Sequence, residues 1–244
     1  GISEEKLNKQ IEEFKTGFPF LKLDSAAAID HGIFAPNEEE TSKYVSSWND
    51  YKSDGHAIVK FVPASGAASR MFKDLFAFLD ADYDVPTTDF EREFFDNLKK
   101  FAFRKELCGV CHDTDGKCMK ELAADGQYKT VVRNLLTETG LNYGQLPKGL
   151  LLFHSYEDGP RTPMEEHLVE AALYASSNGE ANVHYTVSHD HIELFKKKVA
   201  EKQDKDEKMF GVRYNISFSE QKPSTDTVAV NPDNTLFRNA DGSM

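Results

Sequence analysis

The chain has 244 residues, enough for one large α/β domain or a domain carrying a substantial insertion. With 41 acidic against 29 basic residues the net charge is −12, which argues against DNA or RNA as a partner but leaves room for a small anion held by a few local cations. No apolar run approaches a membrane span and no signal-like apolar core follows Gly1, so a cytoplasmic protein away from membranes is expected.

Ser3 can cap a first helix in which Leu7, Ile11 and Phe14 share a face, and Gly17 and Pro19 end it. Phe18, Phe20, Leu21 and Leu23 then call for burial. Asn37, followed by three Glu residues, predicts the cap and acidic first turn of a second helix. Tyr44, Val45, Trp48 and Tyr51 form its buried stripe. Both helices fall within residues 1–56 and are expected to be an N-terminal addition packed on a sheet.

Ile58 to Val62 reads as a strand, and Pro63 stops it because proline cannot donate to a ladder. Ala64, Ser65, Gly66, Ala67, Ala68 and Ser69 are all small and let the backbone come close to something. Met71, Phe72, Leu75, Phe76 and Leu79 then recur at helical spacing. A strand, a small-residue turn and a helix aim free N–H groups and a helix dipole at an anion, and Arg70 adds a fixed charge. Alone, the same pattern is a packing turn, so the reading needs a partner elsewhere in the chain.

Residues 80–145 read as a helical insertion. Phe90, Phe94, Phe95, Leu98, Phe101 and Phe103 crowd one helix; Val131, Val132, Leu135 and Leu136 lie on another, from Tyr128 to Thr139. Between them, the stretch Cys108 to Cys118 is expected to be a polar surface loop with reduced thiols. Its Cys-x-x-Cys-His spacing also suits haem attachment, but no export signal is seen. Cys108, Cys111, Cys118 and His112 could bind zinc, but they lack the usual two separated ligand pairs. Asp113-x-Asp115-Gly116 resembles part of a calcium loop without its downstream Glu. A metal-binding or interaction module at Cys108–Cys118 is therefore kept as an alternative.

Next, Leu146 to His154 leads into Gly159-Pro160-Arg161-Thr162-Pro163, where Thr162 caps a helix, Pro163 takes its first position and Glu165 and Glu166 favour its dipole. His167 on that helix reads as packed, and Arg161 as an ion-pair partner of Glu165 or Glu166. Val183 to Val187 is a strand ending at Ser188-His189-Asp190-His191, where a helix burying Ile192, Phe195 and Val199 begins. Phe210 to Phe218 is another strand, and Val228 to Val230 pairs with Leu236 to Arg238 as a hairpin. Asn239 to Met244 reads as a turn leading into a further strand, so the natural chain is expected to continue.

Strand, helix, strand, helix, strand predicts one α/β domain over residues 1–244, with a mostly parallel sheet and helices on both faces. Ligands in such sheets sit at the carboxyl ends of strands, so Ser65–Arg70, Ser188–His191 and Gln221–Asp226 should line one edge.

Pro63 to Met71, with the later Pro147-Lys148-Gly149-Leu150-Leu151, resembles the signature of nucleotide-sugar pyrophosphorylases. Phe218-x-Glu220-Gln221-x-Pro223 is similar to a segment of the UDP-N-acetylglucosamine pyrophosphorylase branch. More closely, the stretches Pro63–Met71 and Asp158–Pro163 resemble those of domain-of-unknown-function family 4301, over most of the chain. The resemblance implies a Rossmann-like GT-A nucleotidyltransferase-type fold. It implies that Ala64, Ser65, Gly66, Ala67, Ala68 and Ser69 cradle a nucleoside triphosphate or nucleotide sugar. Arg70 and Lys148 would be the catalytic cations on the phosphates, and Ser188 and Gln221 would line the substrate. The implied reaction is attack by a sugar 1-phosphate on the α-phosphorus, with magnesium bridging the phosphates. The sequence departs from that family in having Ala67 and Ala68 where glycine is usual. It also has a long insertion before Lys148 and no Asp motif for the metal, whose ligands are expected beyond Met244. A non-catalytic nucleotide- or sugar-phosphate-binding protein of the same fold is the alternative.

Overall fold

The computed structural model describes residues 1–238; the turn expected from Asn239 to Met244 lies outside them. The chain is mixed α/β and divides into two compact units, Gly1–Tyr51 with the chain from Gln221 onward, and Lys52–Glu220.

In the first unit α1 (Glu4–Thr16) starts where expected, with the Ser3 hydroxyl accepting the Lys6 N–H at 3.2 Å. The next helix, α2 (Glu38–Ser53), carries a reciprocal cap: Asn37 Oδ1 accepts the Glu40 N–H at 2.9 Å, and the Glu40 carboxylate accepts the Asn37 N–H at 2.9 Å. Lys6 Nζ donates to the Ser224 carbonyl at 2.7 Å, and the Gln10 side chain accepts from Val228 N–H at 2.9 Å, which ties the later segment to α1. The expected hairpin is present around a bridge between Val230 and Leu236, flanked by backbone bonds from Asn231 N–H to the Thr235 carbonyl at 2.8 Å and from Phe237 N–H to the Ala229 carbonyl at 2.9 Å. The expected burial does not occur: neither helix holds a buried residue, and Phe20 is fully exposed. Two helices and a short tail enclose too little volume for a core. Trp48 and Tyr51 instead stack on each other, 5.8 Å between centroids.

The second unit runs β1 (Val59–Pro63), α3 (Lys73–Asp80), α4 (Asp89–Asp96), α5 (Arg104–Asp115), α6 (Met119–Ala124) and α7 (Tyr128–Leu136). It continues with β2 (His154–Tyr156), β3 (Gly159–Arg161), α8 (Pro163–Tyr174), β4 (Glu180–Val187), α9 (Ile192–Phe210) and β5 (Arg213–Glu220). β4 is its axis, pairing in parallel with β1 from Val59 opposite Asn182 to Pro63 opposite Thr186. On its other edge it pairs in parallel with β5, from Glu180 opposite Arg213 to Val187 opposite Glu220. The short strand Ser176–Ser177 adds an antiparallel pairing at the start of β4. The sheet is therefore small and mixed, although its long strands are parallel as the alternation predicted.

Burial along β4 alternates residue by residue. Ala181, Val183, Tyr185 and Val187 face Leu168 of α8 and Phe195 and Val199 of α9 in one core. Asn182, His184 and Thr186 occupy the other face, where Phe61 of β1 is 63% exposed. Among the described residues of this unit, helices cover one face, not the two expected. The open face satisfies its polar groups sideways: His184 bonds the hydroxyls of Ser217 and Ser219, each at 2.8 Å, and Asn215 donates to Asn182 at 2.9 Å. Phe61 stacks on the His184 ring at 5.3 Å.

The helical insertion has its own core of Leu75, Phe78, Leu107, Leu122, Val131 and Leu135, each at most 1% exposed. Burying one such side chain contributes about 1.5–3 kcal/mol, so this cluster holds α3, α5, α6 and α7 together. The aromatic run does not form one helix. Asn97 takes the Glu93 carbonyl with its side chain at 2.7 Å and ends α4, leaving Phe101 and Phe103 stacked between helices at 5.0 Å.

The Cys108 stretch is also not a loop. It is the body of α5, because Leu107 and Cys111, four residues apart, bury on one face. Cys108 and Cys118 form a disulfide with Cα atoms 4.7 Å apart, and Cys111 is a buried free thiol. The expectation of reduced thiols in a loop is corrected on both counts. Among the described residues no group of three or more His, Cys, Asp or Glu side chains could hold a metal ion. Nor is any helix among them long and apolar enough to cross a membrane. Unfolded without reductant, the protein should present one alkylatable thiol, Cys111; after reduction it should present three. Three thiols before reduction would contradict the pairing.

Candidate functional site

The two motifs that the sequence singled out are laced together. After β1, Ala64 N–H donates to the Thr186 carbonyl at 2.7 Å and carries the sheet pairing one step into the small-residue loop. The loop then meets the Pro-Lys-Gly segment: Lys148 N–H donates to the Gly66 carbonyl at 3.0 Å, and Ala68 N–H donates to the Leu146 carbonyl at 3.3 Å. Ala67 and Pro147 complete an antiparallel bridge between them. Small side chains matter here because two backbones approach each other. Gly149 continues the same logic: a Cβ on it would lie 3.0 Å from the Phe195 ring, so glycine lets this turn sit on the sheet core.

This lacing frames a cavity of about 200 Å³ lined by Ala64, Gly66, Lys148, Gly149, Pro163 and His167, with Tyr185 and Phe195 behind them. Lys148 is exposed, as is Gly66. The first residue of α8 lies on the wall, where the positive end of a helix dipole adds to the lysine charge. That helix starts where it does because Thr162 Oγ1 accepts the Glu165 N–H at 3.3 Å while the Glu165 carboxylate accepts the Thr162 N–H at 2.7 Å.

His167 is the residue that sequence reasoning missed. It read as packed, but it is half-buried and lines the cavity. Pro163 and His167 are four apart on α8, hence on one face, and that spacing was the available signal. Glu170 holds the His167 Nδ1 at 2.9 Å and the Lys60 ammonium at 2.7 Å, and Lys60 donates to the Tyr174 hydroxyl at 2.6 Å. The Lys60 ammonium, with help from His167, holds the Glu170 carboxyl below the usual range despite partial burial. On Lys60 itself burial pulls downward, but Glu170 and Tyr174 prevail and raise it. The chain Lys60–Glu170–His167 thus fixes the imidazole and leaves Nε2 as its open position.

The remaining expected residues are placed as follows. Ser65, Ala67, Ala68 and Ser69 lie in or beside the laced loop. Arg70 is exposed in a 3-10 turn from Ser69 to Phe72, outside the cavity lining. Ser188 follows β4, and its hydroxyl is engaged with His191 Nδ1 at 2.6 Å. His189 meets Glu220 at the end of β5 at 3.0 Å, so the carboxyl ends of β4 and β5 touch. Gln221 belongs to the other unit, where its amide donates to Asp226 at 3.3 Å. Arg161 pairs with Asp158 at 3.3 Å and lies 3.9 Å from Glu166, while stacking over Tyr156 at 4.2 Å.

The match to known families spans the whole chain, residues 1–244, and is to the domain of unknown function DUF4301. The chain belongs to that family. No curated protein and no solved structure matches it. Family membership therefore brings no activity with it, and the functional reading rests on the chain's own geometry.

On the far side of the α8 cap is a second, charged cavity of about 50 Å³, lined by Asp158, Arg161, Glu165, Lys202, Lys205 and Asp206. Glu165 is almost fully buried. Burial alone would raise its pKa, but Lys202 at 2.7 Å and the Thr162 bonds prevail and hold it below the usual carboxylate range. Asp206 goes the other way: burial, then the Glu165 charge, push it up against the pull of Lys205, Lys202 and Arg161. A carboxyl whose folded pKa exceeds its unfolded one costs stability once ionised, and that cost vanishes at pH values where both states are protonated. Asp206→Asn should therefore raise the thermal midpoint at pH 7, with the gain fading as the pH falls through the raised folded pKa and gone below the ordinary Asp value of about 3.9. A lower midpoint at pH 7 would contradict this electrostatic account.

Proposed function

We propose that this protein binds a nucleoside triphosphate or nucleotide sugar at the cavity framed by the small-residue loop and Lys148, as a nucleotidyltransferase-like protein. The observation that carries the reading is the backbone lacing of two segments far apart in sequence around one cavity. In that cavity an exposed lysine, a helix start and an oriented histidine converge. A phosphate seated there would meet the Lys148 ammonium, backbone amides of the loop and the positive end of α8. His167 Nε2, the acceptor of a ring whose Nδ1–H goes to Glu170, would take a hydrogen bond from a sugar hydroxyl. Arg70, one turn beyond the loop, is assigned to the outer phosphates.

The finer likeness to nucleotide-sugar pyrophosphorylases, with a GT-A-like arrangement, belongs to the same proposal. In the transfer it implies, an oxygen of a sugar 1-phosphate bonds to the α-phosphorus as the bond to the departing pyrophosphate breaks. Lys148 and Arg70 would neutralise the developing charge. The described residues do not fit a resident magnesium ion, since no acidic cluster is present among them to hold one. Magnesium is therefore assigned to the nucleotide alone, and no step is derived through it. That same finding favours a second reading, binding without turnover, as do Ala67 and Ala68 at the tightest part of the loop.

A thermal-shift panel of nucleoside triphosphates and nucleotide sugars with magnesium, on wild type and Lys148→Ala, tests the reading. One nucleotide at about a hundred times its dissociation constant should stabilise the wild type by roughly 2.7 kcal/mol, and the exposed-site variant should lose most of that shift. No shift with any nucleotide, or an equal shift in both proteins, would remove the assignment.

A further inference from the structure

The laced segments border a second, larger hollow that the nucleotide reading does not use. Where Gly66 and Lys148 line the small cavity, the residues that follow each of them, Met71 and Phe72 on one segment and Leu151 to Phe153 on the other, line a cavity of about 630 Å³. Phe94, Phe101 and Phe103 of the helical insertion close its wall. The volume falls within the roughly 300–1,000 Å³ typical of small-molecule sites.

The side chains of that wall are mostly apolar, with Tyr143 and Asn97 as its uncharged polar groups. The Tyr143 hydroxyl accepts the Leu152 N–H at 3.1 Å, and burial pushes its pKa up to about 12, so it stays neutral with one O–H to donate. One N–H of the Asn97 amide at the rim goes to the Glu93 carbonyl at 2.7 Å. A nucleobase or sugar placed here would leave most of its own polar groups without partners, at a cost that a hydrocarbon does not meet. A hydrocarbon loses nothing. At the rim stands Lys100, exposed and without an ion-pair partner among the described residues. A free ammonium at the mouth of an apolar cavity is complementary to an anionic head on an apolar chain.

We propose that this cavity binds the hydrocarbon chain of a free medium-chain carboxylic acid, with the carboxylate at Lys100. The site stands apart from the nucleotide reading and survives its failure. Glu93 shares the rim, and its charge opposes the carboxylate, so the two rim residues make opposite predictions.

The experiment is a calorimetric titration of the full chain with straight-chain carboxylates from hexanoate to dodecanoate, below their micellar concentrations, with dodecanol as the uncharged control. Affinity should rise by up to about fourfold for each added methylene while the chain still fits. Lys100→Glu should weaken dodecanoate about three- to tenfold and leave dodecanol unchanged, and Glu93→Gln should tighten dodecanoate. Ala102→Trp, which fills the cavity from its wall, should abolish the dependence on chain length. If that variant does not fold, the Lys100 and Glu93 variants, both at exposed positions, decide the matter. Absence of binding, affinity independent of chain length, or dodecanoate affinity unmoved by both rim variants would overturn the proposal. Preference for planar aromatic acids over every acyl chain would overturn it as well.

Discussion

The sheet of the larger unit, and the cavity at its edge, hang on the pairing of β4. One strand, buried on alternate residues, takes a parallel partner on each edge, and this fixes where three chain segments end. Parallel pairing puts the carboxyl ends of β1, β4 and β5 together, as the Ala64–Thr186 bond and the His189–Glu220 contact attest. The small-residue loop leaves from that edge, and Pro147 and Lys148 are stitched to the loop, not to the sheet. The cavity is thus a consequence of strand register: a slip of one residue in β1 against β4 would turn Val62 out of the core and move the loop away from α8.

The charges around this edge are arranged at two levels. Buried carboxylates such as Glu165 are compensated by caps and a lysine, and they set the start of α8. Partly exposed groups such as Lys60, Glu170 and His167 form a chain whose effect is orientation more than stability, because pairs this close to solvent contribute little energy. A net charge of −12 makes the local cations Lys148, Arg70 and Lys100 conspicuous, since each stands exposed on a largely acidic molecule.

What was legible in the sequence was local. Ser3, Asn37 and Thr162 cap helices because a side-chain oxygen and an N–H three residues on lie within the same turn, whatever packs elsewhere. Strands around Val59, Val183 and Ile216 follow from β-branched alternation. Non-local facts were hidden. The aromatics of α2 have the periodicity of a core stripe, but periodicity does not say that the unit is too small to cover them. Among the described residues of this unit the polar face of β4 carries no helix; cross-strand pairs such as His184 with Ser217 and Ser219 satisfy it, and those pairs need β4 and β5 in register. Three cysteines allow three pairings, and only the helix over Arg104–Asp115 decides that Cys111 points inward while Cys108 meets Cys118. His167 was hidden because its neighbours on α8 are apolar, although its i, i+4 relation to Pro163 was present.

The central claim is that Ala64–Ala68 and Pro147–Gly149 are two walls of one ligand site. Amide hydrogen exchange, followed by mass spectrometry with and without the nucleotide selected by the thermal panel, tests it most directly. The account predicts that peptides covering both segments, and the first turn of α8, become protected together, while α1 and α2 do not change. Protection of only one segment, or protection confined to residues outside both, would contradict it.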